Sequence, residues 1–240
     1  MKTNQININT FAASLFAAAT LIGSANAAIS VTNTSANVLE DTSNSATYTN
    51  TISSWSLNGG NAVVVYFSGE NTLGVTAKYG TEDLTIVETT GSGNDHVAAI
   101  GYIIDPTAST ADLDVTWAAQ GNSENMITAL SLGGVGSVVA LSGAALGGPD
   151  KADSVTGRSI QIDDAMENSV IILSHASNDH NPNIRMSLDS SVEKLFSGPT
   201  GSSMGAAAYF KSDSSDPVTV NFPSVGEIPV TVSAIFSPNS

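Results

Sequence analysis

The fold is decided by the stretch Asn61–Trp117, which reads NAVVVYFSGENTLGVTAKYGTEDLTIVETTGSGNDHVAAIGYIIDPTASTADLDVTW. Its first run, Ala62–Phe67, is apolar without interruption and is bounded by turn residues. That pattern is typical of a strand buried on both faces. The last run, Ala111–Trp117, alternates apolar and polar residues, so every second residue from Leu113 is predicted to face a core. The stretch therefore predicts the two-sided interior of a β-sandwich.

Short strand-like runs continue on both sides of this stretch. Ala28–Asn33 alternates, and Ser45–Trp55 is rich in Thr and Tyr, which suits a half-exposed strand. Within the stretch, Leu73–Tyr79 and Leu84–Glu88 predict a β-hairpin around a Gly-Thr-Glu-Asp turn. About fourteen such runs separated by turn signals, without a sustained helical period, predict an all-β fold. We expect a single antiparallel β-sandwich or jelly roll over residues 28–240.

Four other segments carry predictions of their own. Thr34–Asn44 is polar and small, which predicts a loop or flexible connector. Gly136–Asp153 is rich in Gly, Ala and Ser and predicts an irregular crossing. Asp163–Asn168 indicates a helical turn, and Ile184–Leu188 is a further strand candidate.

The amino terminus has the layout of a secretory signal peptide. Lys2 is followed by an apolar run, Phe11–Ile22, and by the small-x-small sequence Ala25–Ala27. The alternative, a membrane helix, needs about 20 apolar residues, and this run is shorter. We therefore expect residues 1–27 to be removed after Ala27, and the chain to be secreted to the periplasm, the cell surface or the extracellular space of a bacterium.

The charge of the chain is strongly acidic. It carries 22 acidic against seven basic residues, a net charge of −15, and one of the basic residues is Lys2 in the predicted signal peptide. Such a surface repels nucleic acids and anionic membranes, which bind basic proteins. It attracts divalent cations, although adaptation to salty surroundings also explains the composition. The absence of cysteine excludes thiol catalysis and cysteine-ligated zinc.

Four motifs resemble those of an uncharacterised bacterial secreted β-sandwich, or jelly-roll-like, family with a V-T-x-x-Y-G-x-x-x-L-T hairpin. They are VTAKYGTEDLT at Val75–Thr85, YIIDPTASTADLDVTW at Tyr102–Trp117, ALSLGGVG at Ala129–Gly136 and VSAIFSP at Val232–Pro238. These are turn and strand motifs. The resemblance implies a sandwich fold and a surface or matrix component, and it implies no catalytic residue.

One polar cluster, Ser174–Asn181, is a candidate site. It holds His175, Asp179 and His180 directly after an apolar run, which predicts a loop. Imidazole and carboxylate groups are ligands of zinc and other transition metals. The alternative is a polar loop with two solvated histidines.

Other ligand hypotheses depend on fewer residues. Trp55 closes a polar strand, so it is predicted to be exposed and to offer a platform for a glycan. Paired carboxylates such as Asp112 and Asp114 solvate an outer face, and loop pairs elsewhere make a structural calcium possible. A serine hydrolase is disfavoured because the G-x-S-x-G elbow is absent.

The sequence thus favours a non-enzymatic structural or adhesive protein of the cell surface, the extracellular matrix or a filament. A specific version is self-association by β-strand exchange, in which Ala28–Asn33 completes the sheet of a neighbouring copy. The alternative for that strand is pairing within its own sheet. Two other function classes stay open: a glycan-binding module, and a metal-dependent hydrolase using His175, Asp179 and His180.

Overall fold

A computed structural model of the chain describes ten segments, which together contain 17 β-strands and no helix. They are residues 28–35, 38–42, 44–90, 96–145, 155–162, 166–178, 192–200, 203–212, 214–225 and 227–239. All strand pairs are antiparallel, as expected for the all-β sandwich class. Within these segments no helix is long and apolar enough to cross a membrane. The predicted signal peptide lies outside the described residues.

The central sheet has six strands in the order β1-β10-β4-β8-β7, with β2 pairing beside β1 along β10. Its strands are β1 (Ser30–Thr34), β2 (Val38–Thr42), β4 (Ala62–Glu70), β7 (Thr85–Thr90), β8 (His96–Ile104) and β10 (Ser123–Gly133).

Two outer sheets lie on the two faces of the central sheet. The N-terminal outer sheet has the order β3-β9-β5-β6, from β3 (Thr47–Ser56), β5 (Thr72–Tyr79), β6 (Glu82–Asp83) and β9 (Thr110–Ala119). The C-terminal outer sheet has the order β11-β17-β13-β15-β14, from β11 (Val135–Ala145), β13 (Val170–Asn178), β14 (Val192–Thr200), β15 (Ser203–Lys211) and β17 (Glu227–Pro238). A separate pair joins β12 (Val155–Ile162) to β16 (Val218–Val225).

The central sheet is buried on both faces, because alternate side chains of its strands enter different cores. In β4, Val63 and Val65 face the N-terminal outer sheet, whereas Val64 and Tyr66 face the C-terminal outer sheet. Every residue of β4 before Glu70 is buried. The continuous apolar run at Ala62–Phe67 therefore reflects a three-layered sandwich, and the expected burial of both its faces is confirmed.

The alternation of β9 also appears as expected. Leu113, Val115 and Trp117 are buried, and Asp112, directly before Leu113, is exposed. Trp117 packs against Phe67 of β4 with ring centroids 5.7 Å apart. A one-residue register slip would move this entire set to solvent, so the pattern specifies the register of the sheet.

The expected hairpin between Leu73–Tyr79 and Leu84–Glu88 is largely wrong. Strand β5 pairs with β6 over only two residues, and the chain then crosses to β8 as strand β7. The physical reason is the neighbouring pair Ile86 and Val87, which point to opposite faces and pack against different cores. Only a strand of the central sheet can bury both.

Two segments that were expected to be irregular contain strands. Val38–Thr42, inside the expected connector, pairs with β10, because a polar strand is tolerated at a sheet edge. Strand β11 occupies the first part of the expected crossing Gly136–Asp153 and pairs with β17 through two register shifts. The expected helical turn is described only from Met166, where Ser169 N donates to Met166 O at 3.1 Å in a tight turn. The strand candidate Ile184–Leu188 lies outside the described residues.

Candidate functional site

His175 lies inside strand β13, so the expected loop location of the Ser174–Asn181 cluster is wrong for its first half. The strand continues through residue 178 because its backbone pairs with β15 on one side and β17 on the other. Flanking strands satisfy its backbone groups, which allows a polar sequence to stay extended inside a sheet. Asp179 and His180 lie outside the described residues, so their predicted part in a metal site stays a prediction.

The His175 side chain is buried and hydrogen-bonded. It is 1 % exposed, and its Nδ1 lies 2.8 Å from Oγ1 of Thr231, its direct partner on β17. Burial lowers the pKa of His175 to about 4, with a smaller contribution from the charge of His96. The imidazole is therefore neutral at neutral pH. Its surroundings suit a structural hydrogen bond, in contrast to the alternative of a solvated histidine.

A reciprocal serine pair connects the central sheet with the C-terminal outer sheet beside His175. Ser68 Oγ donates to the His175 backbone oxygen at 2.6 Å, and Ser174 Oγ donates to the Phe67 oxygen at 2.9 Å. Both serines are buried in the apolar interface. We name Ser68, Ser174, His175 and Thr231 the interlayer polar seam. No sequence pattern predicted this seam, although a serine ends each of two apolar runs, AVVVYFS and VIILS.

Trp55 is buried, which contradicts its expected exposure. Its Nε1 donates to Ser131 Oγ of the central sheet at 2.9 Å, and its backbone oxygen accepts from Tyr79 Oη at 3.0 Å. The cause is a β-bulge between Ile52 and Trp55, where Ser54 adopts φ 51°. The extra residue shifts the strand's alternation and turns the indole into the core.

The acidic pairs on the described strands are occupied by local hydrogen bonds. Asp112 accepts from the Ser54 backbone N–H at 2.8 Å, and Asp114 accepts from Thr51 Oγ1. Among the described residues, no group of three His, Asp or Glu side chains is arranged to hold a metal ion. A structural calcium stays a prediction for the loops outside them.

A shallow groove of about 470 Å³ lies at the end of the β11–β17 pair. It contains Val139 and Met166, both 43 % exposed, together with the carboxylate of Glu167. The hydroxyls of Ser137 and Ser237 in the groove are 2.8 Å apart and bond to each other. The groove therefore offers apolar contact area and one negative charge, without a polarised nucleophile.

A row of exposed threonines follows the outer edge of the N-terminal outer sheet. Thr47, Thr49 and Thr51 of β3 point to solvent on the same face of the sheet. The Thr49 hydroxyl lies 2.8 Å from that of Thr116 on β9. The sequence pattern predicted this strand as half-exposed without a functional role, because a threonine-rich strand carries no chemical signature beyond strand propensity.

No family model matches the chain, and no curated protein matches it.

Proposed function

We propose that this chain is a non-enzymatic structural or adhesive protein, secreted to the bacterial cell surface, extracellular matrix or a filament, and that it self-associates by exchanging its N-terminal strand. The observation that carries the proposal is the position of β1. It forms an edge of the central sheet, and among the described residues it pairs along one side only, with β10. An edge strand at the start of a chain can leave its sheet and be replaced by the same strand of another copy.

The contacts of β1 suit such an exchange. None of its five side chains is fully buried: Ile29, directly before it, is buried in the core beneath the C-terminal outer sheet, and Val31 packs half-buried against that core. Specific polar contacts still determine its register: Thr32 Oγ1 donates to the Leu57 oxygen at 2.7 Å, and Asn33 Nδ2 donates to the Ser56 oxygen at 2.8 Å. In an exchange, the same backbone pairing, polar contacts and apolar anchors would form with a second copy, so little buried apolar area would be lost.

Further support comes from the sequence. The predicted signal peptide and the resemblance to secreted β-sandwich proteins favour an exported location. The net charge of −15 disfavours nucleic acid and anionic membranes as partners. The glycan-binding alternative stays a prediction that has lost its aromatic platform, since Trp55 is buried. The metal-dependent hydrolase also stays a prediction, and His175 would enter it only with its Nδ1 already hydrogen-bonded.

Strand exchange is testable by disulfide trapping, because the chain has no natural cysteine. Asn33 of β1 lies opposite Ser131 of β10. We expect an equimolar mixture of the single variants Asn33→Cys and Ser131→Cys, assembled and then oxidised, to form a disulfide between the two kinds of chain. Opposed strand residues lie within the Cα separation that a disulfide spans.

A matched control uses Ser137→Cys and Ser237→Cys, which are opposed in the same way on β11 and β17. Their mixture should give no mixed dimer, because neither strand belongs to the exchanged element. Mixed dimers absent from the first mixture, while the double variant Asn33→Cys/Ser131→Cys closes its disulfide within one chain, would show that β1 stays in its own sheet.

A further inference from the structure

The outer edge of β3 is open. Strand β3 is the terminal strand of the N-terminal outer sheet. It pairs with β9, from Thr47 opposite Ala118 to Ser56 opposite Thr110. Among the described residues, no strand pairs with its other side. The bulge after Ile52 limits the regular part of this edge to residues 47–52.

The hydrogen-bond phase of the strand shows which backbone groups face outward. Ala46 O accepts from Ala119 N at 2.9 Å, so residues 46 and 119 form a hydrogen-bonded pair. Such pairs alternate along an antiparallel ladder. Residues 48, 50 and 52 therefore bond to β9, whereas the N–H and C=O groups of Thr47, Thr49 and Thr51 point away from it. The same phase explains why Asp112 O faces β5, where it accepts from Gly80 N at 2.8 Å.

This edge lacks the usual protection against pairing with another chain. Natural edge strands are commonly blocked by charged side chains or proline. No residue from Thr47 to Ser56 is charged or is proline, in a chain with a net charge of −15. Two carboxylates of the neighbouring strand, Asp112 and Asp114, are turned onto β3 by their bonds to Ser54 N and Thr51 Oγ1. The edge is thus an uncharged strip on an acidic molecule.

The strip is complementary to itself. Thr47 and Thr51 are placed symmetrically about Thr49, and all three carry outward backbone groups and β-branched side chains. An antiparallel partner with the same sequence places Thr49 opposite Thr49 and Thr47 opposite Thr51. Three hydrogen-bonded pairs of this kind supply about six backbone hydrogen bonds. The facing threonines form the cross-strand pairs that stabilise antiparallel sheets.

We propose that a second copy of this chain pairs with β3 about a two-fold axis through Thr49, which joins two N-terminal outer sheets into one continuous sheet. The second copy is the favoured occupant because two chains of the same negative charge can approach closely only where both surfaces are uncharged. This pairing rests on the proposed self-association and adds an interface separate from the exchange of β1.

The test uses Thr49→Pro, with Thr49→Val as its matched control. Proline removes the outward N–H, which β9 does not use, so the sheet of the variant stays intact, whereas pairing with a second copy is blocked. Valine keeps the backbone donor and the β-branched shape. By sedimentation velocity over a concentration series, we expect Thr49→Pro to raise the dissociation constant at least about tenfold and Thr49→Val less than about threefold.

A second pair of variants keeps the test decisive if Thr49→Pro fails to fold. Thr49→Cys is expected to form a disulfide-linked homodimer under mild oxidation, because the two-fold axis places the thiols opposite each other. Thr76→Cys, an exposed position on the same face but two strands away from the β3 edge, should not. Cross-linking of Thr49→Cys no faster than that of Thr76→Cys would overturn the pairing.

Deleting residues 28–34 separates the two interfaces. If assembly is lost on this deletion but is unchanged in Thr49→Pro, the β3 pairing is overturned and the proposed strand exchange stands. If Thr49→Pro abolishes dimers that the deletion leaves intact, the β3 pairing stands without the exchange. A wild-type chain that is monomeric at every concentration overturns both.

Discussion

Acidification should destabilise the fold through His175. Its pKa is about 4 in the folded chain, mainly because of burial, against about 6.5 in an unfolded chain. Between these two values the unfolded state binds more protons, so the free energy of unfolding falls as the pH falls. A difference of about 2.5 pKa units corresponds to a loss of about 3 kcal/mol between pH 7 and pH 4. That loss is a large fraction of the stability of an ordinary domain, about 5–15 kcal/mol.

The assay is urea unfolding at several pH values from 7.5 to 4, followed by the fluorescence of the buried Trp55 and Trp117. The matched variant is His175→Asn, whose amide occupies the position of Nδ1 beside Thr231 but does not titrate. Carboxylates titrate in both proteins at the acidic end of the range. The difference between the two curves therefore reports the contribution of His175, including its interaction with His96.

We expect the wild type to lose stability relative to His175→Asn as the pH falls through 6.5, with the difference levelling off near pH 4. Parallel curves for the two proteins would refute the reasoning, because they would mean that His175 has the same pKa folded and unfolded. A wild type that gains stability on acidification would show that the protonated imidazole has a partner in the folded state.

Three further predictions concern the layers of the fold. Trp55→Phe should lower the free energy of unfolding in urea by about 1–2 kcal/mol, because it leaves the buried Ser131 hydroxyl without its indole donor. Trp117→Phe removes an indole N–H that has no partner among the described residues, so it should lose no hydrogen-bond energy, and an equal hydrogen-bond loss in both variants would contradict the Trp55–Ser131 hydrogen bond. Gly60→Ala should destabilise the chain by about 1–3 kcal/mol and speed hydrogen exchange in β1, because the added Cβ would lie 2.5 Å from the Leu132 oxygen and 2.6 Å from Thr32 Oγ1; unchanged exchange would exclude this contact. Val64→Ala and Val65→Ala should each cost about 2 kcal/mol, because they open cavities on opposite faces of the central sheet; a negligible cost at either site would show that its interface is loosely packed.

Short runs and alternations of apolar residues predicted individual strands and the side chains that face the core. The apolar run of β4 and the alternation of β9 indicated strand type and inward faces, because burial acts on each residue of a strand in turn. The third layer was not predictable in this way. A strand buried on both faces shows that two partners exist, but its own sequence does not say which later strands provide them.

The wrong expectations for Trp55 and for the segment around His175 also arise because the deciding contacts come from other parts of the chain. The bulge that buries Trp55 depends on one inserted residue, and the phase of a strand after a bulge is not visible in composition. The segment around His175 is polar in sequence, yet its two neighbouring strands keep it extended and enclosed. The open edge of β3 emerges only from strand order, because sequence does not show which strand is last in a sheet.

The division of strands between layers also allows an order of folding as the chain is synthesised. All six strands of the central sheet and all four of the N-terminal outer sheet lie before residue 134, and the C-terminal outer sheet begins at Val135. A chain that emerges from its amino end can therefore complete two layers before the third exists. Until then the apolar face of the central sheet that carries Val64, Tyr66 and Ile100 is exposed to solvent and prone to aggregation. We expect this half-built intermediate to be the species most prone to aggregate during folding.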